Sequence, residues 1–578
     1  SDDAWWLWSV NTQRETMRLM VLQGSLLTPP SQQRLEAAIL VGPPRRMYQD
    51  DLEPERWQEL VDHSVWLHLA KLNASGLTLG AAAGDRLAAL STILPKLMLA
   101  TNESDEFSHW MSGTGDPDFE ERRDIDIAPR RRRDIVTWLK QQATERGPFY
   151  EDTWRDTCRS RFFHSLGALC DLGQDGIWPA HRWREALQVW SEDEMLVRSW
   201  HYAALLVQTM PNDLLQEIAH GITWWLERVS KSIDRNESVL QDLCGRILEL
   251  PLEPGSGITR DGEPIHQPVT EAINHPIGHV AQALLNLWFK REPNDNERLP
   301  ADIESFFTRL CDTQIERFRH GRVLLASRLI TFFRVDRPWT EKYLLPLFDW
   351  MVNPSEAKAA WEGFLWSPRL YRPLLIAFKP HFLETARRYG ALGEHSRQFA
   401  AFLTYAALEP LEGYTTEDFE KAIGALPPEG LQEVSQALSQ AMEGAGDRRE
   451  EYWRNRVEPF WHRVWPKSRD LATKGIAEDL TRLAIATGTE FPSALQALRD
   501  WLLPIDHPHY VVLRLEESGL CGRFPEEALR LLDAVIDDQQ WAPTELVQCL
   551  DAILQAAPQL SQDFRYLRLR EYSRRRGI

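Results

Sequence analysis

Cysteine is scarce in this chain. There are six in 578 residues, namely Cys158, Cys170, Cys244, Cys311, Cys521 and Cys549, and no two form a Cys-x-x-Cys pair. That pattern is neither a disulfide framework nor a thiolate zinc site, and it suits a reducing compartment such as the cytoplasm. Long apolar runs are missing as well. No stretch approaches the roughly 18 residues that a bilayer span requires, and no signal peptide opens the sequence. Positive charge is also in deficit, with 85 acidic against 66 basic residues and a formal net charge of −19. A surface that neutralises nucleic-acid phosphates would carry the opposite sign, so nucleic acid is not the expected partner.

Catalytic signatures are lacking too. The glycine-rich stretch from Gly255 to Gly262 has no Gly-Lys-Ser/Thr after it and no strand before it. It fails both the Walker and the dinucleotide fingerprints and reads as a loop. No Gly-x-Ser-x-Gly elbow and no cysteine in an activating context is present. No catalytic residue, resident metal or cofactor is therefore assigned.

Helical periodicity, by contrast, is everywhere. Leu546, Cys549, Leu550 and Ile553 recur at i, i+3, i+4 and i+7 after Pro543-Thr544, the pattern of one buried helical face. Leu431, Val434, Leu438 and Met442 do the same after Pro427-Pro428. Tyr510-Val511-Val512-Leu513 is the best strand candidate, yet its context is helical. Phe491-Pro492 and Phe524-Pro525 each open an apolar helical stretch, 33 residues apart, a spacing that suits either a helix–turn–helix unit stacking into a solenoid or a pair of ordinary antiparallel helices with Pro at N1. The expected fold is all-α, with helix bundles passing into a HEAT- or TPR-like repeat array.

A chain of 578 residues is too long for one core, since single cores stop growing at roughly 250–300 residues. Proline, glycine and polar clusters place soft boundaries that give an N-terminal helical domain over 1–150 and a second over 151–262. A helical connector over 263–354 and a repeat domain over 355–578 complete the expected division. The 24 Trp are abundant, and their ordinary role is packing between helices, each burying a large apolar area and seeking a partner for its indole N–H.

Three groups of residues deserve a weighed reading. His275 and His279 stand four apart, a spacing that a helix turns to one face, and Asp506-His507-Pro508-His509 also gathers donors. A metal-dependent enzyme built on these histidines is one alternative; cap and loop roles are the bland one. The arginine runs Arg130-Arg131-Arg132-Arg133 and Arg574-Arg575-Arg576 are either solvated faces or a patch for nucleic acid. Trp361, Trp366, Arg369 and Tyr371 are of the residue types that anchor protein interfaces and are the candidate partner-binding set. Burial in a structural cluster is the competing fate of the two tryptophans.

Three blocks carry a family resemblance. They are Trp361-Glu362-Gly363-Phe364-Leu365-Trp366-Ser367-Pro368-Arg369-Leu370-Tyr371, the stretch from Glu451 to Trp461 (Glu-Tyr-Trp-Arg-Asn-Arg-Val-Glu-Pro-Phe-Trp), and the run from Gly519 to Leu529. Together they resemble the helical C-terminal region of large bacterial anti-phage defence proteins whose N-terminus is a sirtuin-like NAD-cleaving domain, relatives of STAND-type sensors. The similarity covers residues 355–575. It implies a sensor that binds a phage component, restrains a linked effector domain, and works in a homo-oligomeric full-length protein. No sirtuin-type catalytic arrangement is found, and the abrupt Ser1-Asp2-Asp3-Ala4-Trp5 opening reads as a piece cut from something longer, so the sensor half alone is expected here.

Overall fold

A computed structural model describes residues 5–9, 12–47, 54–95, 97–99, 119–121, 125–141, 151–255, 259–260, 263–264, 267–537 and 543–577. The polar, acidic stretch 102–129 with Gly113, Gly115, Pro117 and Pro129, which the sequence marks as a long loop, lies mostly outside those residues, as do 256–258 and 261–262 of the Gly255–Gly262 loop. The chain divides into two compact units, residues 1–130 with 140–153, and residues 131–139 with 154–578. The expected division at 150 falls beside that border, whereas 262 and 354 lie within the span of the second unit.

Among the described residues the first unit holds the helices Gln13–Gln23, Pro29–Val41, Pro54–Ala74 and Ala81–Ile93, preceded by the single turn Trp5–Trp8. Trp8, Met17, Ile39, Trp66, Leu69 and Leu90 make its buried core. Strands among the described residues are confined to three short two-stranded ladders, such as Leu97–Leu99 antiparallel to Phe119–Glu121.

The second unit is a helical-repeat array. The apolar stripes of the sequence become its inward faces. Helix Leu546–Ala556 buries Leu546, Cys549, Leu550 and Ile553, and helix Pro428–Gly444 buries Leu431, Val434, Leu438 and Met442. Tyr510 to Leu513 fall within helix His509–Glu517. Side-chain hydrogen bonds between neighbouring helical pairs recur at a nearly constant sequence separation, a signature of stacked repeats. Arg159 bonds Glu192 across 33 residues, Trp350 bonds Thr385 across 35, Trp461 bonds Ala497 across 36, and Arg482 bonds Glu443 across 39. Phe491 and Phe524 obey the same period, and their rings meet at 6.3 Å. The chain is thus all-α, and no described helix is long and apolar enough to cross a membrane.

Between the repeats lie the tryptophans. Trp361 is surrounded by Phe348, Phe364, Phe378, Phe382 and Phe399 at centroid distances of 5.0 to 6.3 Å. Trp461, Trp465 and Trp501 form a second cluster. The expectation that each indole N–H finds a partner holds only in part. Trp225 donates to Ser199 Oγ and Trp361 to the Phe348 carbonyl, whereas the N–H groups of Trp183, Trp190, Trp288, Trp453 and Trp465 face no protein acceptor. Helices also approach to backbone contact. A Cβ at Gly363 would lie 2.3 Å from the Val323 carbonyl oxygen, so only glycine fits that crossing.

One ion pair, Arg322–Glu356, is internal, and the partly exposed Arg319 joins it from the side. Arg322 Nε donates to Glu356 Oε2 at 2.7 Å and Arg319 Nε to Glu356 Oε1 at 2.6 Å. Arg322 also donates to the carbonyls of Leu310 and Asp312, so helix Pro354–Leu365 is tied through Arg322 to the turn that ends helix Ala301–Leu310.

Candidate functional site

The four candidate anchors separate into core and surface. Trp361 is wholly buried. That is a correction to its place in the partner-binding set: its ring belongs to the aromatic core and has no surface to offer. Five residues on, Trp366 is 49% exposed. It ends helix Pro354–Leu365 and opens a short turn in which Arg369 and Leu370 are exposed and Tyr371 is half-buried. Tyr371 meets Phe333 edge-on at 6.3 Å, which fixes one side of that turn.

The histidines are structural. His275 Nδ1 accepts from the Ile277 N–H at 3.1 Å, capping helix Pro276–Lys290, while its Nε2–H donates to the Glu253 carbonyl at 2.9 Å. Both nitrogens are committed, leaving no lone pair for a metal. His279 Nε2 donates to the Ile273 carbonyl at 3.1 Å and its Nδ1 faces the Thr223 hydroxyl at 3.0 Å. His320 stacks on His275 at 4.0 Å and bonds the Pro254 carbonyl. Burial lowers all three, His275 to about 3 and His279 to about 4, so at neutral pH they are uncharged spacers that satisfy loop carbonyls. Among the described residues no three His, Cys, Asp or Glu side chains converge on a metal position. His507 and His509 are exposed, and Asp506, which precedes them, pairs with Lys474 at 2.6 Å.

The arginine runs are thinned by pairing. Arg132 grips Asp171 with both arms of its guanidinium. Arg574 and Arg575 share Glu571 one turn back on the same helix. These are solvated faces with internal counter-ions.

A groove that the sequence reading did not single out is the better-formed site. Helix Arg449–Tyr452 passes into a π-helical turn, Trp453–Val457, and resumes as Glu458–Arg463. Pro459 explains the irregularity, because it has no N–H to give the Asn455 carbonyl, as an α-helix would require. Trp453 and Val457 are fully buried on the inner side, and Asn455 and Arg456 are turned outward. Two adjoining concavities, of about 620 and 460 Å³, share Glu409, Asn455 and Arg456 as a common wall. Arg463 and Thr415 line the larger, and Tyr405, Tyr452 and Arg448 the smaller. Burial raises the Tyr452 phenol, with nearby Glu409 adding to the shift and Arg456 opposing it, so Tyr452 is a neutral donor at physiological pH. Glu409 is held by Arg372 at 2.6 Å. Arg372 directly follows Tyr371, so this ion pair joins the exposed turn at 366–371 to the groove wall.

Sequence inspection had marked the block from Glu451 to Trp461 only for its resemblance. The local signal for a distorted turn was there, a proline in the middle of an apolar helical stripe. Which arginines would be left without a counter-ion was not, since their neighbours lie a full repeat away.

Comparison with known proteins adds little beyond the fold. No family model matches the chain. A 131-residue segment is 29% identical to the uncharacterized protein y4cA of Sinorhizobium fredii, covering 22% of this chain and 11% of that protein. A karyopherin crystallised with the extreme C-terminus of a protein phosphatase aligns over 92% of this chain and 56% of its own, at 12% identity and a TM-score of 0.40. The chain thus spans a small part of its curated relative and about half of the karyopherin.

Proposed function

We propose that this chain is the sensing, non-catalytic part of a bacterial anti-phage defence protein. It binds a phage-encoded protein in the cytoplasm and controls a linked NAD-cleaving domain within a homo-oligomer. The defence assignment rests on the resemblance of the blocks at 361–371, 451–461 and 519–529. The observation that supports the binding role is that an exposed aromatic and arginine turn is followed directly by a residue paired with the wall of a groove that the second block lines. The exposed turn with Trp366, Arg369 and Leu370 leads into Arg372, and Arg372 pairs with Glu409 in the wall of the groove formed by the second block. Aromatic and arginine side chains beside a concave, polar-walled surface are what protein interfaces use.

The test is capture on the immobilised full chain from phage-infected and uninfected bacterial lysates, read by mass spectrometry. One phage-encoded protein enriched only after infection is the expected outcome. Recovery of nucleic acid alone, or of the same host proteins in both lysates, would overturn the sensor reading.

A further inference from the structure

The groove has a chemistry of its own. Arg448, Arg456 and Arg463 line it, and among the described residues none of them has a carboxylate at ion-pair distance. Their neighbours are paired in the ordinary way: Arg454 lies 3.5 Å from Glu490, Arg482 3.0 Å from Glu443 and Arg469 2.6 Å from Asp500. The three guanidiniums along this one groove therefore keep donors open to a ligand. Arginine presents a fork of N–H donors that fits a carboxylate with two parallel bonds. Asn455 adds an exposed amide, which offers both a donor and an acceptor to a peptide backbone.

Length and sign narrow the occupant. From Arg448 to Arg463 the helical rise is about 22 Å, enough for an extended segment of about seven residues at roughly 3.3 Å each. Glu409, already held by Arg372, and Glu412 and Glu451 also line the groove. Evenly spaced phosphates would be repelled by those carboxylates, whereas a peptide can set its acidic side chains opposite the arginines and neutral groups opposite the glutamates.

We infer that the groove binds an extended acidic segment of a protein, its carboxylates held by Arg456 and Arg463 and its backbone by Asn455. This rests on the protein-binding reading above and names the partner chemistry of that surface.

The probe is a fluorescein-labelled heptapeptide alternating Glu and Ala, titrated with the full chain and followed by anisotropy. An alternating Gln and Ala peptide and a single-stranded heptanucleotide serve as comparisons. The acidic peptide should bind, the Gln peptide should not, and added salt should weaken the complex. Arg463→Glu and the milder Arg456→Gln should each weaken binding by about tenfold or more, with unchanged circular dichroism. Arg574→Glu, whose residue is already paired with Glu571, should leave it unchanged. Equal affinity for the Gln peptide, tighter binding of the oligonucleotide, or no response to Arg463→Glu would overturn the inference. Failure here beside a successful phage-protein capture condemns the groove alone. Arginine-dependent peptide binding without any capture leaves the groove chemistry standing and removes the defence reading.

Discussion

Glu356→Gln is expected to destabilise the second unit by about 3–5 kcal/mol. The carboxylate is 3% exposed and accepts from two arginines, one of them, Arg322, only 1% exposed. An amide removes the counter-charge and turns one of the two acceptor oxygens into a donor that faces an arginine. It leaves a buried guanidinium whose charge is met only by neutral acceptors, among them the carbonyls of Leu310, Asp312 and Ile315. Urea unfolding followed by tryptophan fluorescence measures the loss. A change below about 1 kcal/mol would mean that those carbonyls satisfy Arg322 unaided. The same pair predicts a pH dependence. Burial resists ionisation of Glu356, but Arg322 and Arg319 outweigh it and hold the carboxyl below its ordinary range. The contribution is therefore present at neutral pH and lost as pH falls through the depressed folded value. Replacing the pair together, Arg322→Met with Glu356→Leu, should recover most of the loss, because the buried charge disappears from both sides.

Trp361→Ala and Trp366→Ala should differ widely although the residues stand five apart. Trp361 lies among five phenylalanines with no exposed surface. Its truncation removes apolar contact and leaves a cavity, at about 3–5 kcal/mol. Trp366 is 49% exposed, and its truncation should stay within about 0.5–1 kcal/mol in stability. Thermal unfolding of the two variants checks this, and equal effects would contradict the assignment of one ring to the core and the other to the surface.

That pair also marks how far the sequence could be read. Helical stripes such as Leu431, Val434, Leu438 and Met442 declare themselves because their periodicity is local. The 33-residue echo of Phe491 and Phe524 likewise reports a repeat in which the two rings meet, tilted, at 6.3 Å. The fate of Trp361 and Trp366 was less legible. Five residues rotate a helix by about 140°, so the two must face differently. Helix Pro354–Leu365 is buried almost all round, however, with Glu356 and Glu362 among its inward residues, so polarity does not say which faces inward. His275 and His279 looked like ligands because spacing alone cannot reveal that loop carbonyls at Glu253 and Ile273 occupy them. The groove escaped for a related reason. Arg456 is notable for what it lacks, and a missing counter-ion is visible only once the helices one repeat away are in place.

The central claim is that the chain works by binding a protein through the surface at the turn 366–371 and the groove beside it. Calorimetric titration of the phage protein captured on the wild-type chain, into wild type and Arg369→Glu, tests it most directly. Arg369 is exposed, so the variant should keep its helical circular dichroism and melting temperature while its affinity falls by about tenfold. Undiminished affinity, or loss of the helical signal in Arg369→Glu, would contradict the account and return that residue to a structural role.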